Sequence, residues 1–244
     1  MNMNMNMNMN MNMNMKVKFI FSIFILLIST LSMADNRPGF VCGRFNDTVI
    51  EVPSSYLYSF AEYEGYSYFD SRFLENKKGC DANFRVLPLV MSWPDMKPFD
   101  RNENGENKKI RFSIEPLDGD PKGYLEYKRY LYLDSGEGKY KGSISYNEEL
   151  ELYFNEVIFR FNNKYHDFKE YKRGYYWGID KESINILFDC AWIPDDGVYS
   201  RCDAIYLIPE IGFKIKVLIN YKDLNMWNEI VGDVNKFIYK YMKL

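Results

Sequence analysis

The chain has 244 residues and a formal net charge of −3, with 47% hydrophobic, 27% charged and 18% aromatic residues. A weakly acidic chain lacks the clustered Lys and Arg that a nucleic-acid backbone demands. One histidine and four cysteines leave little material for a histidine-based catalytic site or a zinc cluster.

Residues 1–14 repeat the dipeptide Met-Asn. Such a low-complexity tract has no helical or strand period and buries no core. Residues 15–34 read as an export signal. Met15-Lys16-Val17-Lys18 is a positive n-region, Phe19 to Ile28 is an apolar h-region, and Ser32-Met33-Ala34 places small residues before a cut at Asp35. The apolar run is shorter than the about 20 residues of a membrane span. Asp35 follows the expected cut, where a lipid anchor would need Cys. A retained anchor is the alternative. The short, lysine-flanked signal favours the periplasm, with full secretion as the alternative.

Beyond the signal, Phe40 to Phe45 and Thr48 to Val52 read as a strand pair joined through Asn46-Asp47. Tyr56, Tyr58 and Phe60 keep a strand period, although Pro53-Ser54-Ser55 offers a short helix start instead. Arg85 to Trp93 is a strongly apolar run whose Pro88 argues for an edge position or a bulge. Pro94 and Pro98 forbid a regular helix after it. Asp100 to Lys108 is the most polar stretch and reads as a linker between an N-terminal β-rich lobe, 35–99, and a C-terminal α+β lobe, 109–244. The basic pairs Lys77-Lys78 and Lys108-Lys109 read as solvated loops.

In the second lobe Ile110, Phe112 and Ile114 share one strand face. Asp118 to Gly123 reads as a turn. It faintly resembles a calcium loop, but Lys122 stands where an oxygen ligand is required. The run Tyr130 to Leu133 follows, then a Gly-rich turn over 135–142. Leu150 to Tyr153 and Val157 to Phe161 are two further strand candidates. Asp203 to Ile208, the turn Pro209 to Gly212 and Phe213 to Tyr221 form a hairpin, with Phe213, Ile215, Val217 and Ile219 on one face. Asp223 reads as an N-cap. Trp227, Ile230, Val231, Val234, Phe237, Ile238 and Tyr241 then follow a helix period. The expected fold class is α+β: mostly antiparallel sheet, with this amphipathic helix packed on it.

Cys42, Cys80, Cys190 and Cys202 are an even set in an exported chain, which implies disulfides. Of the possible connectivities, Cys42–Cys80 and Cys190–Cys202 each close a local loop and are the expected pairs. Zinc is disfavoured because the close C-x₂₋₄-C spacing is absent. His166 lies in a polar segment with no G-x-S-x-G turn in the chain, so it reads as a surface histidine. No catalytic residue, metal or cofactor is expected.

An exported chain with a Cys pair near each end, a Trp93-Pro94-Asp95-Met96-Lys97-Pro98 element after an apolar strand, and a closing hairpin followed by Leu224-Asn225-Met226-Trp227 resembles periplasmic immunity proteins. These are the partners of type VI secretion effectors, especially lipase or phospholipase toxins. The resemblance loosely covers most of residues 35–244, and its most specific words are 88–98 and 202–230. It implies a non-enzymatic protein that binds and blocks a cognate toxin in the periplasm. Loop residues Tyr66, Tyr68, Trp93 and Tyr199 are the candidate anchors for that partner.

Two alternatives stay open. In a carbohydrate- or envelope-binding module, Tyr56, Tyr58, Phe60, Tyr63, Tyr66, Tyr68 and Phe69 would stack on sugar rings, about half of them being core instead. In a hydrolase, a carboxylate pair such as Glu148-Glu149 or Asp195-Asp196 would act across a cleft.

Overall fold

A computed structural model describes residues 37–100, 108–134, 139–160, 170–194 and 196–243. The Met-Asn repeat, the signal and its cut at Asp35, most of the polar stretch 100–108, and His166 lie outside the described residues.

In chain order the strands are β1 (Phe40–Phe45), β2 (Thr48–Pro53), β3 (Glu62–Tyr63), β4 (Phe84–Trp93), β5 (Lys97–Pro98), β6 (Lys108–Pro116), β7 (Lys139–Lys141), β8 (Ser145–Asn147), β9 (Leu152–Arg160), β10 (Glu170–Asp180), β11 (Ser183–Ile193), β12 (Val198–Ile208), β13 (Phe213–Asn220) and β14 (Met242–Lys243). The two α-helices among the described residues are α1 (Pro121–Leu133) and α2 (Trp227–Tyr241). Neither is long and apolar enough to cross a membrane.

One large antiparallel sheet runs in the order β3-β4-β6-β13-β12-β11-β10-β9-β7, with β5 on β4 and β8 on β9. A small sheet, β1-β2-β14, stands apart from it. The segments 35–99 and 109–244 share the large sheet: β4 pairs with β6 from Leu87↔Ile114 to Trp93↔Lys108, and β6 pairs in turn with β13.

The large sheet is covered on two faces. On one, α2 and the small sheet bury Ile230, Val234, Ile238, Phe45 and Ile50 against Leu89, Phe112, Ile215 and Val217. The alternation in β13 produces this directly, because Phe213, Ile215, Val217 and Ile219 are all buried and the intervening residues are not. On the other face, Leu125 and Leu133 of α1 pack on Val157, Tyr175, Trp177, Leu187 and Ile205. Both expected disulfide pairs form. Cys42–Cys80 joins β1 to the start of the β4 arm, and Cys190–Cys202 links directly opposed residues of β11 and β12.

Several local expectations are met. The hairpin over 40–53, the hairpin over 203–220 and the apolar stripe of α2 stand where the sequence pattern puts them. Ser54–Tyr56 forms a short 3₁₀ turn. Pro88 sits toward the sheet edge. The Tyr58 N–H donates to the Pro88 carbonyl at 3.2 Å on the flank of β4 away from β6. Within a strand residue the nitrogen and oxygen point the same way, so proline removes no donor from the β4–β6 ladder.

Other expectations are corrected. Asp223 is not an N-cap. It is buried in a 3₁₀ segment, Tyr221–Met226, and pairs with Lys108 Nζ at 2.7 Å; the helix starts after Met226 without a side-chain cap. Lys108 and Lys109 are therefore strand residues of β6, not loop. Tyr130 to Leu133 is the last turn of α1, which begins at Pro121, a favoured first helical position. Leu150–Tyr153 and Val157–Phe161 are not separate strands, because Leu152 to Arg160 is continuous.

Candidate functional site

The segment from Leu57 to Lys78 carries aromatic residues in a stretch that forms little regular structure, so its path depends on anchors. Tyr63 is buried, tilts against the Phe84 ring at 4.8 Å, and donates its hydroxyl to the Cys42 carbonyl at 2.7 Å. The Cys42–Cys80 bridge fixes the far end. Asn76 clamps the middle: its Oδ1 accepts the Tyr66 N–H at 2.7 Å and its Nδ2 donates to the Tyr66 carbonyl at 2.8 Å. Beside it, Gly65 has φ +123°, and a Cβ there would stand 2.4 Å from Asn76 Oδ1. Only glycine serves at that position. Arg85 adds a hydrogen bond to the Gly65 carbonyl at 2.9 Å.

These anchors turn a set of large apolar side chains outward. Phe69 is 94% exposed, Leu74 78% and Tyr68 55%. The exposed rings support one another. Phe60 stacks on Tyr68 with centroids 4.9 Å apart, and Phe73 meets both edge-on at 5.5 Å. The Arg72 guanidinium lies 3.9 Å over the Tyr66 ring and forks onto Asp70 with hydrogen bonds of 3.1 and 3.0 Å. That same pair holds the Asp70 carboxyl below its ordinary range. Phe60, Ala61, Tyr63, Tyr68, Phe73 and Leu74, together with Asn76 and Lys78, line an open pocket of about 370 Å³. Contiguous apolar surface of this kind marks an interaction site. Aromatic rings and arginine are the side chains that dominate such sites.

The structure divides the four candidate anchors. Tyr66 and Tyr68 lie together on this segment. Trp93 does not join them. It is the last residue of β4, only 7% exposed, and its Nε1 donates to Asp233 of α2 at 3.1 Å. Tyr199 is also a strand residue, on β12, separated from β4 by β6 and β13. Its hydroxyl donates to Glu156 at 2.8 Å, and its ring lies over Gly174, where any Cβ would approach to 2.9 Å. Burial, then the Glu156 carboxylate, pushes the Tyr199 phenol well above its ordinary range. Of the aromatic residues weighed for sugar stacking, Tyr56 and Tyr63 are core. Arg72, Phe73 and Leu74 escaped the sequence reading. Their signal is weak but real: apolar residues in a polar stretch that ends at a cysteine.

Metal binding finds no support in the group where Cys42, Glu51 and Cys80 converge. The two sulfurs are bonded to each other, and the Glu51 carboxylate is held by Arg37 at 3.2 Å and Lys243 at 2.7 Å.

No family model matches the chain, and no curated protein matches it in sequence. A solved structure shares the fold: Smlt3025, an immunity protein of the Stenotrophomonas maltophilia type IV secretion system. The two superpose with a TM-score of 0.56 at 14% identity, over 84% of this chain and 94% of that one. At that identity the likeness is one of fold.

Proposed function

We propose that this chain is an exported immunity protein that binds and neutralises a toxin delivered by a secretion system, and that Phe60, Tyr68, Phe69, Phe73 and Leu74 anchor the complex. The observation that carries the reading is the outward-facing aromatic cluster on a segment already fixed by a disulfide and the Asn76 clamp. A preformed loop loses little conformational entropy on binding, so more of its contact energy appears as affinity. The fold shared with an immunity protein supports the same reading. The neighbour serves a type IV system, whereas the sequence resemblance implies a type VI effector of lipase type; neutralisation of a delivered toxin is common to both. The export signal over 15–34 and the two disulfides support a periplasmic site of action.

The cluster favours a protein over a glycan. A sugar needs a flat ring face with hydrogen-bonding groups beside it. Here Phe60 and Tyr68 occupy each other's faces, and both ends of the Asn76 amide are engaged by Tyr66.

The test is co-expression with the product of the adjacent toxin gene directed to the periplasm. The intact protein should rescue growth, and a version lacking residues 1–34 should not. Phe69→Ser with Leu74→Ser should abolish rescue and weaken binding by about 30-fold or more, as loss of about 2 kcal/mol at an anchor requires. Its melting temperature should not move, since both side chains are exposed. Full rescue by that variant would remove the anchors, and absence of any complex would remove the function.

A further inference from the structure

Among the described residues, the sheet face that carries α1 is covered over only part of its width. Helix α1 lies over β9, β10, β11 and Ile205 of β12. The helix reaches β13 through the Tyr124 ring, 5.7 Å from Lys214 Nζ, and among the described residues no helix extends past that contact over β13 and β6. Register fixes what stands there. One cross-strand row reads Asp189, Asp203, Leu218, Arg111; the next reads Leu187, Ile205, Lys216, Ser113; the third reads Leu207, Lys214, Glu115. Side chains opposite one another across a ladder lie about 5 Å apart, so beyond Leu187 and Ile205, which α1 covers, these rows form one surface. Its floor is Leu218 and Ser113, both half-buried.

The charges on this surface do not balance. Lys214 and Lys216 share a single carboxylate, Glu115, at 2.9 and 2.7 Å. Lys128 reaches the same place from α1, and its ammonium is pushed below the ordinary range by burial and then by the charges of Lys216 and Lys214. Arg173 is already committed to Asp189. Arg111 stacks on Tyr58 at 4.3 Å, and among the described residues neither Arg111 nor Arg201 forms an ion pair. A local excess of positive charge thus sits on a chain whose formal net charge is −3. Like charges held together destabilise a fold by self-repulsion unless something opposes them.

We propose that this face is a docking surface for an acidic segment of the protein partner. The proposal rests on the neutralisation reading and adds to it the chemistry of the partner's second contact. Tyr58 borders this face and stands two positions before Phe60, which places the face next to the aromatic cluster in the chain. A short protein segment fits better than an anionic membrane or nucleic acid. Asp203 and Glu115 lie within the basic field, and a flexible acidic segment can place its carboxylates between those two, whereas the dense, extended charge of a membrane or nucleic acid meets them.

The test needs no toxin. Isotope-labelled protein (residues 35–244) is titrated with a decaglutamate peptide, a decalysine peptide and phosphatidylglycerol vesicles at about 50 mM salt, where the Debye length exceeds the about 8 Å of physiological salt. Amide shifts confined to Arg111, Ser113, Lys216, Leu218 and their neighbours on decaglutamate alone are expected. Arg111→Glu with Lys216→Glu should weaken that binding by about ten-fold or more, and so should Lys128→Glu with Arg201→Glu, which leaves the Tyr58 contact intact. Shifts elsewhere, a preference for vesicles, or no response to decaglutamate would overturn the proposal. Failure here leaves the rescue experiment untouched, so the two readings fall separately.

Discussion

Replacing Asn76 by Ala should loosen the aromatic segment without unfolding the domain. Asn76 makes two hydrogen bonds to Tyr66, at 2.7 and 2.8 Å, and is itself buried. Each is worth about 1 kcal/mol net, so the free energy of opening around Tyr66 should fall by about 2 kcal/mol. At 1.4 kcal/mol per factor of ten, protection of the Tyr66 amide against hydrogen exchange should drop by about 30-fold. The disulfide at Cys80 and the Tyr63 anchor hold the ends of the segment, so the opening stays local. Were the clamp coupled to global unfolding, the same loss would lower the melting temperature by about 4–8 °C. Asn76→Asp should be no better than Ala, because it keeps the acceptor for the Tyr66 N–H but turns a second oxygen toward the Tyr66 carbonyl. Native-state exchange followed by NMR reads the effect directly. Tyr66 protection within about three-fold of the parent in both variants would refute the clamp.

In urea denaturation, Ile230→Ala should cost about 2–5 kcal/mol, because the side chain is fully buried on the inner face of α2, whereas Tyr239→Ala on the exposed side of the same helix should stay within about 0.5 kcal/mol. Glu115 adds a pH dependence. Burial raises its pKa, but the hydrogen bonds from Lys216 and Lys214 outweigh that and leave it below 4.5. A depressed carboxylate contributes stability above its unfolded pKa and loses it as pH falls through the folded value. The stability gap between the parent and Glu115→Gln should therefore be full at neutral pH and close below about pH 4.5; a gap that widens on acidification would reverse the sign. Removing the Cys42–Cys80 bridge, with a separation of 38 residues, should cost about 4 kcal/mol, and removing Cys190–Cys202, with a separation of 12, about 3 kcal/mol. The order is checked by the denaturation midpoints of the two Cys→Ala double variants.

Elements whose code is local were legible in the amino-acid sequence. The β1–β2 and β12–β13 hairpins show alternation bounded by turn residues, and α2 shows an unbroken helical stripe. Both disulfides follow from loops closed near at hand. Helix α1 was not legible, because Leu125 and Leu133 are its only fully buried side chains among those described, and that is too few to write a period. The large sheet was hidden for another reason. β4 pairs with β6 across the most polar stretch of the chain, and a polar composition carries no record of the strands that pair on either side of it. The candidate site was half legible. Tyr66, Tyr68, Trp93 and Tyr199 are similar as residues and differ only in where the chain carries them. Trp93 closes against α2 and Tyr199 against Gly174, while Tyr68 faces solvent beside Phe69 and Leu74. Whether an aromatic ring is core or interface depends on what the fold brings over it, and that is a long-range property that only the tertiary structure decides.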